Sequence, residues 1–134
     1  MIPQIALARI GETPGECEKR YGKPVNVVKK GDSYVKRDYH MKGILVETIT
    51  YKKDGICSMI LYSNIDGTEL ETEMIVQLLK ANEDKEWDVT VKGQNLMGFE
   101  LPAGSNPNYK YQAFYKYKTK KLSVWRSKNP AAGF

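Results

Sequence analysis

The most constraining feature of this sequence is a short helix near the N-terminus whose two ends are both specified. Thr13 and Glu16 have the spacing of a capping box, in which each side chain bonds a free backbone N–H of the first turn. Pro14 stands at the first helical position, where its missing N–H costs nothing. Gly22 supplies a left-handed C-terminal cap and Pro24 prevents the helix from continuing. The sequence therefore predicts a helix of about two turns between these signals.

A helix this short is not stable alone and must pack on other elements. Its apolar side consists of Cys17 and Tyr21, four residues apart. Downstream, the hydrophobic period changes to two, and turn residues separate four predicted strands over residues 25–30, 33–41, 44–52 and 56–62. The short connections favour an antiparallel meander, and the helix is expected to lie on it.

A similar order follows in the second half. Thr68 and Glu71 form a second capping box, 55 residues after the first, and predict a helix from there to about Ala81. Its apolar stripe comprises Leu70, Met74, Ile75, Leu78 and Leu79. Four more strands are predicted over residues 87–92, 95–101, 109–118 and 122–126.

The predicted fold class is therefore α+β, an antiparallel β-meander with helices packed on one face. A chain of 134 residues fits a single domain, which we place at residues 9–128. The repeated order of elements suggests two tandem helix-plus-four-strand units, 9–63 and 64–128. Residues 1–8 are an N-terminal arm or the remnant of a signal peptide, because Ala6-Leu7-Ala8 fits a small-x-small cleavage site. Residues 129–134 form a tail, and no apolar run approaches the roughly 18 residues of a membrane span.

Two cysteines, Cys17 and Cys57, leave three interpretations open: one disulfide, two buried thiols, or a reactive thiol beside an unreactive one. A disulfide would tie the first helix to the fourth strand and would favour an oxidising compartment. Two small buried thiols would serve only as core side chains. Neither cysteine has a metal-type spacing.

The basic charge of this protein is concentrated near its C-terminus. The whole chain carries a net charge of +5, yet residues 101–134 contain no acidic residue and carry +7. These cations lie mostly on a predicted hairpin, residues 109–126, which we take as the candidate partner-binding surface. Its basic members are Lys110, Lys116, Lys118, Lys120, Lys121 and Arg126, with Phe114 and Trp125 as candidate anchors. Aromatic and Arg side chains are favoured at interface centres, whereas lysines mainly steer association.

Interleaved lysines and aromatic rings also occur on sheets that bind single-stranded nucleic acid. Here strand alternation places Tyr109, Tyr111, Tyr115 and Tyr117 on one face and the lysines on the other. Only Phe114, joined by Trp125 from the next strand, shares the lysine face. Nucleic-acid binding therefore stays the alternative to protein binding.

No catalytic constellation is recognisable. His40 is the only histidine and no serine or cysteine nucleophile is paired with it. Asn64, Asp66, Gly67 and Glu73 match part of a calcium loop, but the first ligand position is not a carboxylate. A turn that leads into a helix explains them better. We expect no metal and no cofactor.

A helix that exits through Gly22-Lys23-Pro24 precedes a meander containing Ile44-Leu45-Val46-Glu47 and Gly55-Ile56-Cys57-Ser58. This pattern resembles the small periplasmic SmpA/OmlA (BamE-like) domains, and its doubled form is similar to the β-lactamase-inhibitor-protein fold. The resemblance implies a periplasmic or secreted domain that holds a protein or an anionic envelope component. We therefore expect a non-catalytic binding domain.

Overall fold

A computed structural model describes residues 10–102 and 104–128 of the chain. The arm predicted over residues 1–8 and the tail predicted over residues 129–134 lie outside the described residues. The elements follow one another as α1 (Pro14–Tyr21), β1 (Asn26–Lys30), β2 (Tyr34–Met41), β3 (Ile44–Tyr51), β4 (Cys57–Asn64), α2 (Thr72–Asn82), β5 (Asp88–Lys92), β6 (Leu96–Glu100), β7 (Tyr109–Lys116) and β8 (Lys121–Lys128).

All eight strands form one antiparallel sheet with the order β1-β2-β3-β4-β8-β7-β6-β5. The α+β class is confirmed, but the sheet is not one continuous meander. After β4 the chain passes through α2 to the far edge of the sheet and returns strand by strand. Two meanders therefore meet where β4 pairs with β8, at the centre of the sheet.

The N-terminal helix has the caps that the sequence predicts. The Thr13 hydroxyl accepts from the Glu16 N–H, and the Glu16 carboxylate accepts from the Thr13 N–H. Gly22 has a φ of 82°, and its N–H donates to the Glu18 carbonyl. Cys17 is buried against the sheet. The predicted lid helix is therefore present with both ends fixed.

The second capping box, in contrast, does not form. The Asp66 carboxylate accepts from both the N–H and the hydroxyl of Thr68, at 3.0 and 2.6 Å. The Thr68 N–H, which a capping box would pair with the Glu71 carboxylate, is thus bonded to Asp66 within the turn. Helix α2 starts only at Thr72, with Glu71 as an N-cap that makes no side-chain bond. None of the helices in the described part of the chain has the length and apolarity needed to cross a membrane.

Both helices contact the same face of the sheet. One register row joins Tyr39, Val46, Tyr62, Leu122 and Tyr115 across five strands. The Tyr21 ring of α1 packs 5.1 Å from the Tyr39 ring, and Asn82 of α2 donates to the Tyr62 hydroxyl. The adjacent row, with Ile60, Val124 and Ala113, is completely buried. The core thus lies between the helices and this face, and no helix of residues 10–102 or 104–128 lies on the opposite face of the sheet.

Candidate functional site

Phe114 and Trp125 lie together on the sheet face that is turned away from the helices, which we call the open face. Their strand neighbours Ala113 and Val124 are in register with each other and buried in the core, so alternation directs the two aromatic side chains to the other side. Their ring centroids are 5.2 Å apart with an interplanar angle of 54°. The predicted anchors therefore form one aromatic pair.

Further apolar side chains continue this pair across the middle of the sheet. Trp125 is in register with Met59, which is in register with Ile49. Leu61 occupies the next row, on the same face. We call Ile49, Met59, Leu61, Phe114 and Trp125 the apolar centre. All five are partly buried, although neither helix of the described part of the chain lies on them. The apolar centre therefore spans β3, β4, β8 and β7.

Gly98 of β6 provides the room that Phe114 needs. The two residues are in register, and a Cβ on Gly98 would stand 2.9 Å from Cε1 of Phe114 and 3.1 Å from Oγ1 of Thr90. Real Cβ contacts are essentially never that short, so the Phe114 ring rests directly on the Gly98 backbone. A glycine inside a strand is often a site of such close approach. Gly98 thus fixes the position of the aromatic pair.

Beside the apolar centre, Glu47 accepts from two lysines of different strands. Lys121 Nζ lies 2.9 Å from Oε2 of Glu47, and Lys36 Nζ lies 3.0 Å from Oε1. Only 5% of the Glu47 side chain is exposed. Burial by itself would raise the pKa of Glu47, but hydrogen bonds from Lys121 and Lys36 outweigh it and the pKa is lowered. The pKa of Lys36 is raised, chiefly by its bond to Glu47. Glu47 and Lys36 are therefore charged near neutral pH.

A second carboxylate of the open face is also bonded. Gln112 Nε2 donates to Oε1 of Glu100 at 2.9 Å, and Lys110 Nζ lies 3.7 Å from the same oxygen. By contrast, Lys116 and Lys118 are exposed and make no ion pair among the described residues. The uncompensated charge beside the apolar centre is therefore positive.

Two of the predicted partner-binding residues are not part of this face. Arg126 alternates to the helix side, where its guanidinium stacks 3.7 Å above the Tyr109 ring and donates to the Tyr111 hydroxyl. Lys120 lies in the β7–β8 turn, and its Nζ donates to the Gly67 carbonyl ahead of α2. Of the eight predicted residues, four lie together on the open face: Phe114, Trp125, Lys116 and Lys121. Lys110 lies at one border of this group, and Lys118 lies in the adjoining turn. We therefore exclude Arg126 and Lys120 from the candidate site.

Sequence reasoning did not select Lys36, Glu47, Ile49, Met59 or Leu61 for the site. Alternation places these residues on one face of β2, β3 and β4. These residues lie close to the C-terminal hairpin only because β4 pairs with β8. Period-two alternation was the signal available, but it does not reveal which strands are neighbours.

The groups considered for catalysis are not assembled into a site. His40 is exposed at the end of β2. Cys17 and Cys57 are buried free thiols, and burial raises their pKa values to about 11 and about 12, which makes them poor nucleophiles. Within the described ranges, no three His, Cys, Asp or Glu side chains are grouped so that they could hold a metal ion.

Comparison of the chain with protein-family models, with curated proteins and with solved structures gave no significant match.

Proposed function

We propose that this protein is a non-catalytic, periplasmic or secreted domain that binds a protein partner through the open face of its sheet. One observation carries the proposal, namely the apolar centre, which no element among the described residues covers. It includes an aromatic pair, Phe114 and Trp125, and its borders are charged. An apolar, aromatic centre within a polar rim is the usual composition of a specific protein interface.

The arrangement of elements supports the kind of domain that we propose. Helix α1 is followed by β1–β4 and helix α2 by β5–β8, and the last strands of the two sets pair with each other. We interpret these sets as two tandem helix-plus-four-strand units, related to the doubled form of the BamE-like and β-lactamase-inhibitor-protein pattern. On this interpretation, one continuous open face is shared by both units. The resemblance is also the basis for proposing a periplasmic or secreted location.

Nucleic-acid binding is the weaker proposal because of the charges within the face. A single-strand platform needs cations for the phosphates and rings on which bases stack. Lys36 and Lys121 are bonded to Glu47, and Lys110 lies beside Glu100. Phe114 and Trp125 are tilted against each other instead of presenting parallel ring faces. The open face therefore offers few free cations relative to its apolar area.

The test needs a purified partner and variants that change only one face. Cross-linking in the cell envelope, followed by purification of each captured protein, provides candidates for direct calorimetric titration. Ser123→Arg places a bulky side chain between Leu61 and Phe114 without removing any packed group. The control, Val76→Arg, places the same bulky side chain on the exposed side of α2. We expect Ser123→Arg to weaken binding about tenfold or more, as for a change at an interface centre. Val76→Arg should leave the Kd unchanged.

Equal affinity of both variants for every partner would contradict the proposal. Filter binding to single-stranded DNA and RNA across a salt series tests the alternative, since phosphate contacts give a steep salt dependence. A steep dependence that Ser123→Arg abolishes would replace protein binding with nucleic-acid binding. Fractionation of the tagged chain, expressed from its own gene, tests the compartment.

A further inference from the structure

We infer that the partner docks on the open face with an acidic segment that carries an apolar side chain, whose carboxylates meet Lys116 and the neighbouring Lys118. The inference rests on the proposed function and adds the chemistry of the partner. It depends on which charges of the open face are already bonded and which are not.

Three carboxylates of the face, Glu47, Glu100 and Asp38, are already bonded and are not available to a basic partner. Asp88, in the register row of Trp125, is exposed on β5 at the edge of the sheet. Glu47 is almost completely buried between Lys36 and Lys121, with nitrogen–oxygen distances of 3.0 and 2.9 Å. Glu100 is bonded to Gln112 and lies close to Lys110. A cation brought to either carboxylate would have to displace a lysine or approach one closely, and like charges at that distance repel. The part of the face around the apolar centre therefore disfavours a basic segment.

The available cations, in contrast, lie beside the aromatic pair. Lys116 follows Phe114 by two residues on β7, so both side chains point to the open face at a spacing of about 7 Å along the strand. Lys116 is also in register with Lys121, whose charge is compensated by Glu47. Lys118 stands exposed in the turn that follows. An anion placed here gains attraction from two uncompensated lysines.

The apolar surface of Phe114 and Trp125 and the positive charge of Lys116 thus lie at a fixed spacing. A partner side chain such as Leu or Phe that packs on Phe114 and Trp125 would bring a carboxylate one or two residues away to Lys116. The aromatic contact would provide most of the binding free energy, because residues at an interface centre dominate it. The lysines would select acidic over basic sequences and would speed association.

Short synthetic peptides test this chemistry directly by NMR titration of the isotope-labelled full chain. The first peptide has one Leu and one Phe flanked by Asp and Glu, and the second replaces every acidic residue by Lys. The third keeps the acidic residues but replaces Leu and Phe by Gly. A single-stranded oligothymidylate is the fourth probe. Each is added to the unmodified protein, to Lys116→Glu and to Lys80→Glu, a matched charge reversal on the exposed side of α2.

We expect the first peptide to shift the amide signals of Phe114, Lys116 and Trp125 and to bind more tightly than the second and third. Lys116→Glu should weaken binding of the first peptide about three- to tenfold, as for loss of a partly exposed ion pair, and should strengthen binding of the second peptide. Lys80→Glu should bind like the unmodified protein. Both variants should keep the unmodified protein's dispersed spectrum, which shows that they fold.

Two other outcomes would overturn the inference and are distinguishable from failure of the proposed function. If the second peptide binds the apolar centre as well as the first, the face binds peptides but does not select acidic ones. If only the oligothymidylate shifts these signals, the ligand class is nucleic acid. If no probe binds the open face while a purified protein partner binds on the helix side, both the inference and the proposed function are wrong.

Discussion

Lys121 Nζ lies 2.9 Å from Oε2 of Glu47 although β8 and β3, the strands that carry them, are separated by β4. The bond therefore joins the two meanders on the open face. Lys36 of β2 completes the cluster from the other side. A carboxylate this deeply buried is stable only with such partners. We regard the three residues as the polar link that holds the open face in one arrangement.

Glu47→Gln should destabilise the fold, because it leaves the ammonium group of Lys121 without its carboxylate and Lys36 with only Asp38, at 3.5 Å. We expect the free energy of unfolding to fall by about 1–3 kcal/mol, the usual cost of depriving a partly buried polar group of its partner. Urea denaturation followed by circular dichroism measures this. Glu73→Gln, on the exposed surface of α2, is the control and should change stability by less than about 0.5 kcal/mol. Equal midpoints for both variants would show that the cluster adds nothing.

The contribution of Glu47 should also depend on pH with a definite sign. Its pKa is lower in the folded chain than its ordinary value of 4.5, so the unfolded chain takes up this proton first as the pH falls. The stabilisation is thus complete above pH 4.5 and is lost as the pH falls through the folded-state pKa. The deficit of Glu47→Gln relative to the unmodified protein should be constant near neutral pH and should shrink below about pH 4.5. A deficit that grows on acidification would contradict the assigned pKa shift.

Gly98→Ala should disturb the aromatic pair. The added Cβ would stand 2.9 Å from the Phe114 ring, so the ring must move away from its place beside Trp125. We expect a loss of about 1–3 kcal/mol, as for overpacking, together with a change in the near-UV circular dichroism. Gly15→Ala is the matched control, since its Cβ would meet only the Thr13 hydroxyl, at 3.9 Å. In helix α1 that change should be neutral or stabilising by up to about 1 kcal/mol. Identical spectra for both variants would show that the ring is not seated on Gly98.

The two cysteines should react slowly in the folded protein. Both thiols are buried and their pKa values are raised to about 11 and about 12, so little thiolate exists near neutral pH. Titration with a chromogenic disulfide reagent should detect two thiols in denaturant and almost none without it. Fast reaction of the native protein would contradict their burial. No thiols in the denatured, unreduced protein would establish the disulfide between Cys17 and Cys57 that the sequence also allows.

Local signals in the sequence predicted the helices and strands well, but they did not predict which distant strands pair. The N-terminal capping box and every strand were located to within a few residues, because each depends on neighbours in sequence. Thr68 was misassigned because its backbone N–H, which a capping box would pair with the Glu71 carboxylate, donates instead to the carboxylate of Asp66, two residues before it. Which partner such a residue selects is decided by the turn, not by the capping pattern.

The candidate site was predicted only in its C-terminal part. The aromatic pair follows from alternation within the hairpin, as does the exposure of Lys116. Arg126 was grouped with the lysines by charge alone, although alternation from Trp125 places it on the helix side. The contributions of Glu47 and Ile49 depend on the pairing of β4 with β8. No local sequence signal specifies that pairing, because it joins residues that are 60 to 66 positions apart in the chain.

The most direct test of the central claim is the footprint of a purified partner on the isotope-labelled protein. We predict that saturating partner shifts or broadens the methyl signals of Ile49, Met59 and Leu61 and the indole signal of Trp125. The methyl signals of Val76, on the exposed side of α2, should stay unchanged. A footprint on Val76 that leaves the apolar centre undisturbed would contradict the account.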